Sequence, residues 1–98
     1  MTRQEVLNKL AENREKLRDF SVKSLAIFGS VARDQAGDYS DVDVLVDFEE
    51  GKPIGLFAFI RLMLFLEDLL GCKVDLATRD SLRSELRERI LQEAIRAG

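Results

Sequence analysis

Two aspartates separated by one residue, Asp41-Val42-Asp43, carry the strongest chemical signal in this sequence. Extended backbone sends residues i and i+2 to the same face, so the two carboxylates project side by side. Neighbouring like charges repel and raise one pKa unless a cation offsets them. Asp75 sits in a second short apolar run, Lys73 to Thr78, and would join the pair if the two strands are neighbours. Three converging carboxylates suit Mg²⁺, a hard cation held by a few carboxylates together with waters and substrate phosphates. Two such ions, set about 3.5–4 Å apart, activate an attacking oxygen and stabilise a leaving one. Taken alone, Asp75 is equally well read as an exposed strand residue, and an isolated Asp-x-Asp as the solvated start of a strand.

Gly29-Ser30 supplies the complementary half. A glycine closing a strand lets the backbone approach a phosphate, and a helix N-terminus after it offers N–H groups and the positive end of a dipole. Ser30 adds a hydroxyl. Arg33, one turn on, has the geometry to reach phosphate oxygens, although pairing with a nearby acid would occupy it equally well. A metal-bound triphosphate would use both halves. Tyr39 reads as a packing or rim residue, Asp47, Glu49 and Glu50 as a solvated strand end, and Cys72 as core.

The elements that must position these groups follow from periodicity. Thr2 with Glu5 forms a capping-box start, followed by Val6, Leu7, Leu10 and Leu17 on a helix ending near Asp19. Leu25 to Phe28 reads as a buried strand, Ser30 to Arg33 as a short helix, and Asp34 to Ser40 as a polar loop. Asp41 to Phe48 alternates as a strand, with Val42, Val44, Val46 and Phe48 on one face. Leu56 to Leu70 is a four-turn helix apolar enough to predict burial on more than one side, with Gly71 as its C-cap. Its large apolar residues, Phe57, Phe59 and Phe65 among them, are generous for so small a core, so a partner or second copy is expected to cover part of it. Lys73 to Thr78 is a further strand. Asp80 or Ser81 caps a last helix striped by Leu82, Leu86, Ile90 and Ile95. The expected fold is α/β (α+β), in the order αβαβαβα, with a small three-stranded sheet covered by helices and a single domain over residues 1–98.

Composition narrows the function classes. The 98 residues are 46% hydrophobic and 34% charged, an ordinary globular balance. With 15 basic and 18 acidic residues, the net charge of −3 argues against nucleic acid as the main substrate. Histidine is absent, which removes Ser-His and Cys-His machinery and any Cys/His zinc set, and one cysteine cannot form an intramolecular disulfide. No secretory pattern opens the chain, and Leu56 to Leu66 is interrupted by Arg61 and far short of the about 20 residues a membrane span needs. A cytoplasmic location is the expectation.

Gly29-Ser30, ten intervening residues and then Asp41-Val42-Asp43 resemble the GS-x10-DxD signature of the DNA polymerase β-like nucleotidyltransferases. Chain length, Ser40 before Asp41 and the Val-Asp-Leu strand at Asp75 are similar to the minimal nucleotidyltransferases, including the MntA-type antitoxins of HEPN/MNT pairs. The resemblance implies a mixed sheet in which Asp41 and Asp43 bind two Mg²⁺ ions. It implies that Asp75 binds one of them and helps deprotonate the acceptor, while Gly29 and Ser30 hold the β- and γ-phosphates. The implied reaction transfers a nucleoside monophosphate, AMP from ATP, to a hydroxyl of a partner protein, a helical HEPN-type toxin. Two other functions remain open: a non-catalytic antitoxin with a vestigial site, and transfer to a small molecule such as an aminoglycoside. The chain departs from the family where glycine often follows the arginine of GSxAR. Asp34 stands there and puts the shape of the loop in question.

Overall fold

A computed structural model of the chain describes residues 2–35 and 41–97. The expectations for Tyr39, for Ser40 and for most of the loop before Asp41 lie outside these residues. Thr2 starts α1 (Arg3–Glu12), its hydroxyl accepting from the Glu5 N–H at 3.2 Å. The long first helix of the sequence reading is in fact two, because the chain leaves helical geometry at Asn13 before α2 (Arg14–Asp19). Apolar spacing continues across that break, so periodicity could not reveal it.

Strand β1 (Val22–Phe28) leads directly into the short helix α3 (Gly29–Ala32). Strand β2 (Val42–Phe48) follows, then helix α4 (Leu56–Leu70), whose end is closed by Gly71 in the left-handed conformation at φ 70°. Strand β3 (Val74–Ala77) lies parallel to β2, and β1 lies antiparallel to β2 on its other side. The core is built from the inward rows of these strands, Leu25 and Ile27, Val42, Val44 and Val46, and Val74 and Leu76. Val6 and Leu10 of α1, Leu17 of α2, and Leu62, Leu66 and Leu70 of α4 close over them.

Three expectations are corrected. The sheet has four strands, in the order β3-β2-β1-β4, because Ile95–Ala97 forms β4 against β1 instead of continuing a helix. Ala94, at ψ 134°, turns the chain out of helix α5 (Ser84–Glu93), and three residues are too short to show a strand period. Ile95 therefore belongs to the sheet. The last helix also starts later than predicted. Thr78 caps a single 3-10 turn at Arg79–Ser81, and no residue of α5 is buried. Finally, α4 buries one stripe rather than several faces: Leu56, Phe57 and Leu64 are 70%, 78% and 54% exposed. No helix among the described residues is long and apolar enough to cross a membrane.

Candidate functional site

Strand register places the acidic residues. Phe28 on β1 stands opposite Asp43 on β2, and Asp43 stands beside Asp75 on β3, so the three form one row across the sheet. Adjacent strands are about 4.8 Å apart, which leaves facing carboxylates within direct reach. Their side chains leave the sheet opposite the core row of Val42, Val44 and Val74. The neighbourhood condition attached to Asp75 in the sequence is thus met by parallel pairing of β2 and β3. Asp41, immediately before β2, also acts on Asp43.

Asp43 records the crowding. Burial, the charges of Asp75 and Asp41, and a side-chain hydrogen bond with Asp75 all push its carboxyl above the ordinary carboxylate range, while the Arg33 charge opposes them. A hydrogen bond between two carboxyls needs a proton on one of them, so Asp43 resists ionisation without a compensating cation. Among the described residues no three acid or cysteine side chains already form a closed ligand shell. Asp43 and Asp75 are the pair in contact, with Asp41 at its edge. This donor set is all oxygen, partly exposed and self-repelling, which fits a hard divalent cation.

The raised Asp43 pKa has a testable sign. A proton is held more tightly in the folded chain than in the unfolded one, so the penalty of the charged form is absent at low pH and grows as pH rises through the folded pKa. Without divalent cations, Asp43→Asn is expected to melt at a higher temperature than the parent at pH 7. That advantage should shrink as pH falls through the carboxylate range. Calorimetric scans across pH check it; equal melting temperatures at pH 7 would contradict it.

Gly29 brings the turn against the acids. Its φ of 71° is a left-handed conformation, and a Cβ placed there would run into the Asp43 carboxylate, with Cγ only 3.1 Å away. Glycine is required twice over, for backbone geometry and for space. Ser30 follows inside α3, and its carbonyl accepts from the Gln35 N–H at 2.8 Å. Asp34, the departure noted in the sequence, takes φ 59°, the conformation a glycine would supply there. Its Oδ1 accepts from the Arg3 N–H at 3.4 Å, and the Arg3 guanidinium donates to the Ala32 carbonyl at 3.2 Å, so α1 braces the end of the turn. Arg33 is placed differently from the phosphate reading. Its guanidinium pairs with Glu93 at 3.1 Å and donates to Gln35 at 3.3 Å.

Two positioning residues escaped sequence reasoning. Glu67 Oε2 accepts from the Val74 N–H at 3.1 Å and fixes the start of β3, hence the height of Asp75. Its signal was an acid on an otherwise apolar helix face. Glu93 was invisible, because its contact with Arg33 spans 60 residues of sequence. Asp47 is not a ligand candidate: it pairs with Arg79 at 3.2 Å and accepts from the Ser24 hydroxyl at 3.2 Å. Burial pushes the Cys72 thiol pKa up, as an unreactive position requires.

Comparison with known proteins adds four likenesses. The family model described as a nucleotidyltransferase domain matches residues 7–97. The protein adenylyltransferase MntA of Thermococcus cleftensis is 41% identical over 96 residues, 97% of this chain and 95% of that one. A solved structure described as a candidate minimal nucleotidyltransferase superposes with TM-score 0.80 at 38% identity, covering 97% of this chain and 95% of that one. A more distant complex, an MNT antitoxin with a tri-AMPylated HEPN toxin from Shewanella oneidensis, shares the fold at TM-score 0.66 and 21% identity, covering 99% of this chain and 72% of that one.

Proposed function

The chain belongs to the nucleotidyltransferase-domain family, and we propose that it transfers AMP from ATP to a hydroxyl of a partner protein. The observation that carries this reading is the row Phe28–Asp43–Asp75 with Gly29 packed on Asp43, which joins a phosphate-type turn to an acid cluster. Asp41, Asp43 and Asp75 would hold magnesium, and Gly29 and Ser30 the β- and γ-phosphates. Magnesium supplies charge neutralisation at the phosphates and a more acidic acceptor hydroxyl. The acceptor oxygen forms a bond to the α-phosphorus as the bond to the bridging oxygen breaks. Pyrophosphate leaves, and the hydroxyl proton passes to the carboxylate of Asp75.

The acceptor is proposed to be a helical toxin of the HEPN type. The relative named a protein adenylyltransferase is matched over nearly its whole length, and the AMPylated toxin complex supplies the chemistry in a distant relative of the same fold. Incubation with magnesium, labelled ATP and the protein encoded beside it tests the reading. Label should pass to that protein, and an Asp41→Asn, Asp43→Asn double variant should be inert. Equal labelling by both, or none by either, would refute it.

Arg33 enters this reading conditionally, since it must leave Glu93 to touch a phosphate. The pair is partly solvated and costs about 0–1 kcal/mol to break. Glu93→Gln is therefore expected to tighten ATP binding by up to about fivefold. Calorimetric titration checks this, and unchanged affinity would leave Arg33 as a structural partner of α5.

A specific observation favours a second role, neutralisation of the partner by contact. Leu56, Phe57 and Leu64 form an exposed apolar face on α4, where three large side chains gain by being covered. Phe57→Asp with Leu64→Asp is expected to abolish co-purification with the partner and leave ATP affinity intact. If the Asp41, Asp43 double variant still suppresses toxicity in cells while this one does not, contact alone is sufficient.

A further inference from the structure

The opposite end of the sheet carries a cleft that the reading above does not use. It has a volume of about 200 Å³ and lies where α1 and α2 cross the start of β1 and the end of β4. Leu17 and Leu25 contribute apolar wall, while Arg14, Arg18, Lys23 and Arg96 contribute four cations, and no acid among the described residues lines it. All four are exposed. Arg18, Lys23 and Arg96 enter no ion pair among the described residues, whereas Arg33, Arg79, Arg83 and Arg89 each have an acidic partner. Gathering Arg18, Lys23 and Arg96 around one concavity, in a chain with net charge −3, makes a local positive potential that attracts anions.

We propose that this cleft is a second anion site, for a small phosphate-bearing molecule. Guanidinium groups bind phosphate through paired hydrogen bonds, and the cleft presents those of Arg18 and Arg96 with the ammonium of Lys23. Its volume is below the roughly 300–1,000 Å³ of pockets that enclose larger ligands, so it suits a phosphate with a small body and not a whole nucleoside triphosphate. The uncharged body of an organic phosphate would rest on Leu17 and Leu25. The site is separate from the acidic one: Ser24 lies four residues before Phe28 on β1, about 13 Å along the strand.

An NMR titration with ribose 5-phosphate and, separately, with pyrophosphate tests this. EDTA removes divalent cations, and about 0.15 M salt suppresses unspecific attraction. Saturable shifts centred on the backbone amides of Arg18, Lys23, Ser24 and Arg96 are expected. Lys23→Gln and Arg96→Gln should each weaken binding about tenfold at unchanged melting temperature, while Lys23→Arg retains it. Saturation by the sugar phosphate alone assigns an organic ligand, and by pyrophosphate alone an inorganic one; either supports the site. Shifts that do not saturate, or that centre on Gly29 to Arg33, would overturn it. So would saturation by a glutamate-rich peptide when neither phosphate binds.

Discussion

Replacing Asp43 by asparagine is expected to lower AMP transfer by at least about 10³-fold, although the protein melts at a higher temperature. The two effects share one origin. Among the described residues, Asp43 is the carboxyl most disfavoured in its charged state, pressed by burial, by Asp75 and by Asp41. Removing that charge relieves the fold and takes away the central donor of the acid cluster. Asparagine keeps the size and one oxygen, so a loss of activity would report charge and not shape. Asp75→Asn should also relieve Asp43, since Asp75 is its leading charged neighbour. Kinetics of label transfer, measured together with melting curves for both variants, check this. A variant that is both more stable and still active would show that the crowding has no catalytic purpose.

Gly29→Ala is expected to abolish transfer and destabilise the chain by about 1–3 kcal/mol, while Gly71→Ala costs stability alone. Both glycines have nearly the same backbone, φ 71° and φ 70°. A methyl group at Gly71 meets nothing within 4 Å, whereas at Gly29 it meets the Asp43 side chain. Backbone strain should therefore be similar, with melting temperatures falling roughly 5–15 °C in both. Only at Gly29 must the carboxylate also move or the turn retreat from the strand. Comparison of the two variants thus separates conformational strain from loss of the site. If both retain transfer in proportion to the folded fraction, the contact between turn and carboxylate has no functional weight.

The parts of this fold legible in the sequence were those with strong local signals. Alternation of valine with aspartate from Val42 to Asp47 marked β2 and the side its acids take. Gly29 and Gly71 marked points where a strand and a helix end in left-handed backbone. What escaped was decided by distant contacts. Ile95 looks like one more apolar position on α5, and only pairing with Ile27 makes it a strand residue. Ala94 carries no breaker residue to announce that turn. The break at Asn13 was masked because Val6, Leu10 and Leu17 reach the same core from two helices. For α4, hydrophobicity suggested burial all round, but the small sheet covers only the stripe at Leu62, Leu66 and Leu70. Composition could not tell a surface kept for a partner from a surface turned inward.

The candidate site divides the same way. Asp41, Asp43, Gly29 and Ser30 could be grouped from spacing within one stretch of chain. Asp75 needed the order of strands, which periodicity does not supply, and parallel pairing with β2 provides it. Arg33 shows the reverse case. Its type and position suit a phosphate, yet its nearest acid is Glu93, on the last helix. Asp34 could have distorted the turn but adopts the conformation a glycine would take, helped by the Arg3 N–H.

The most direct test of metal and nucleotide binding at this site is a crystal structure of the chain with Mn²⁺ and an ATP analogue that cannot be cleaved between the α- and β-phosphates. Anomalous scattering from manganese locates the metal independently of the protein model. Manganese is expected to be bound by Asp41 and Asp43, with Asp75 as a further ligand, and the terminal phosphates to lie against Gly29 and Ser30. Manganese away from Asp43, or a triphosphate seated elsewhere on the sheet, would contradict it.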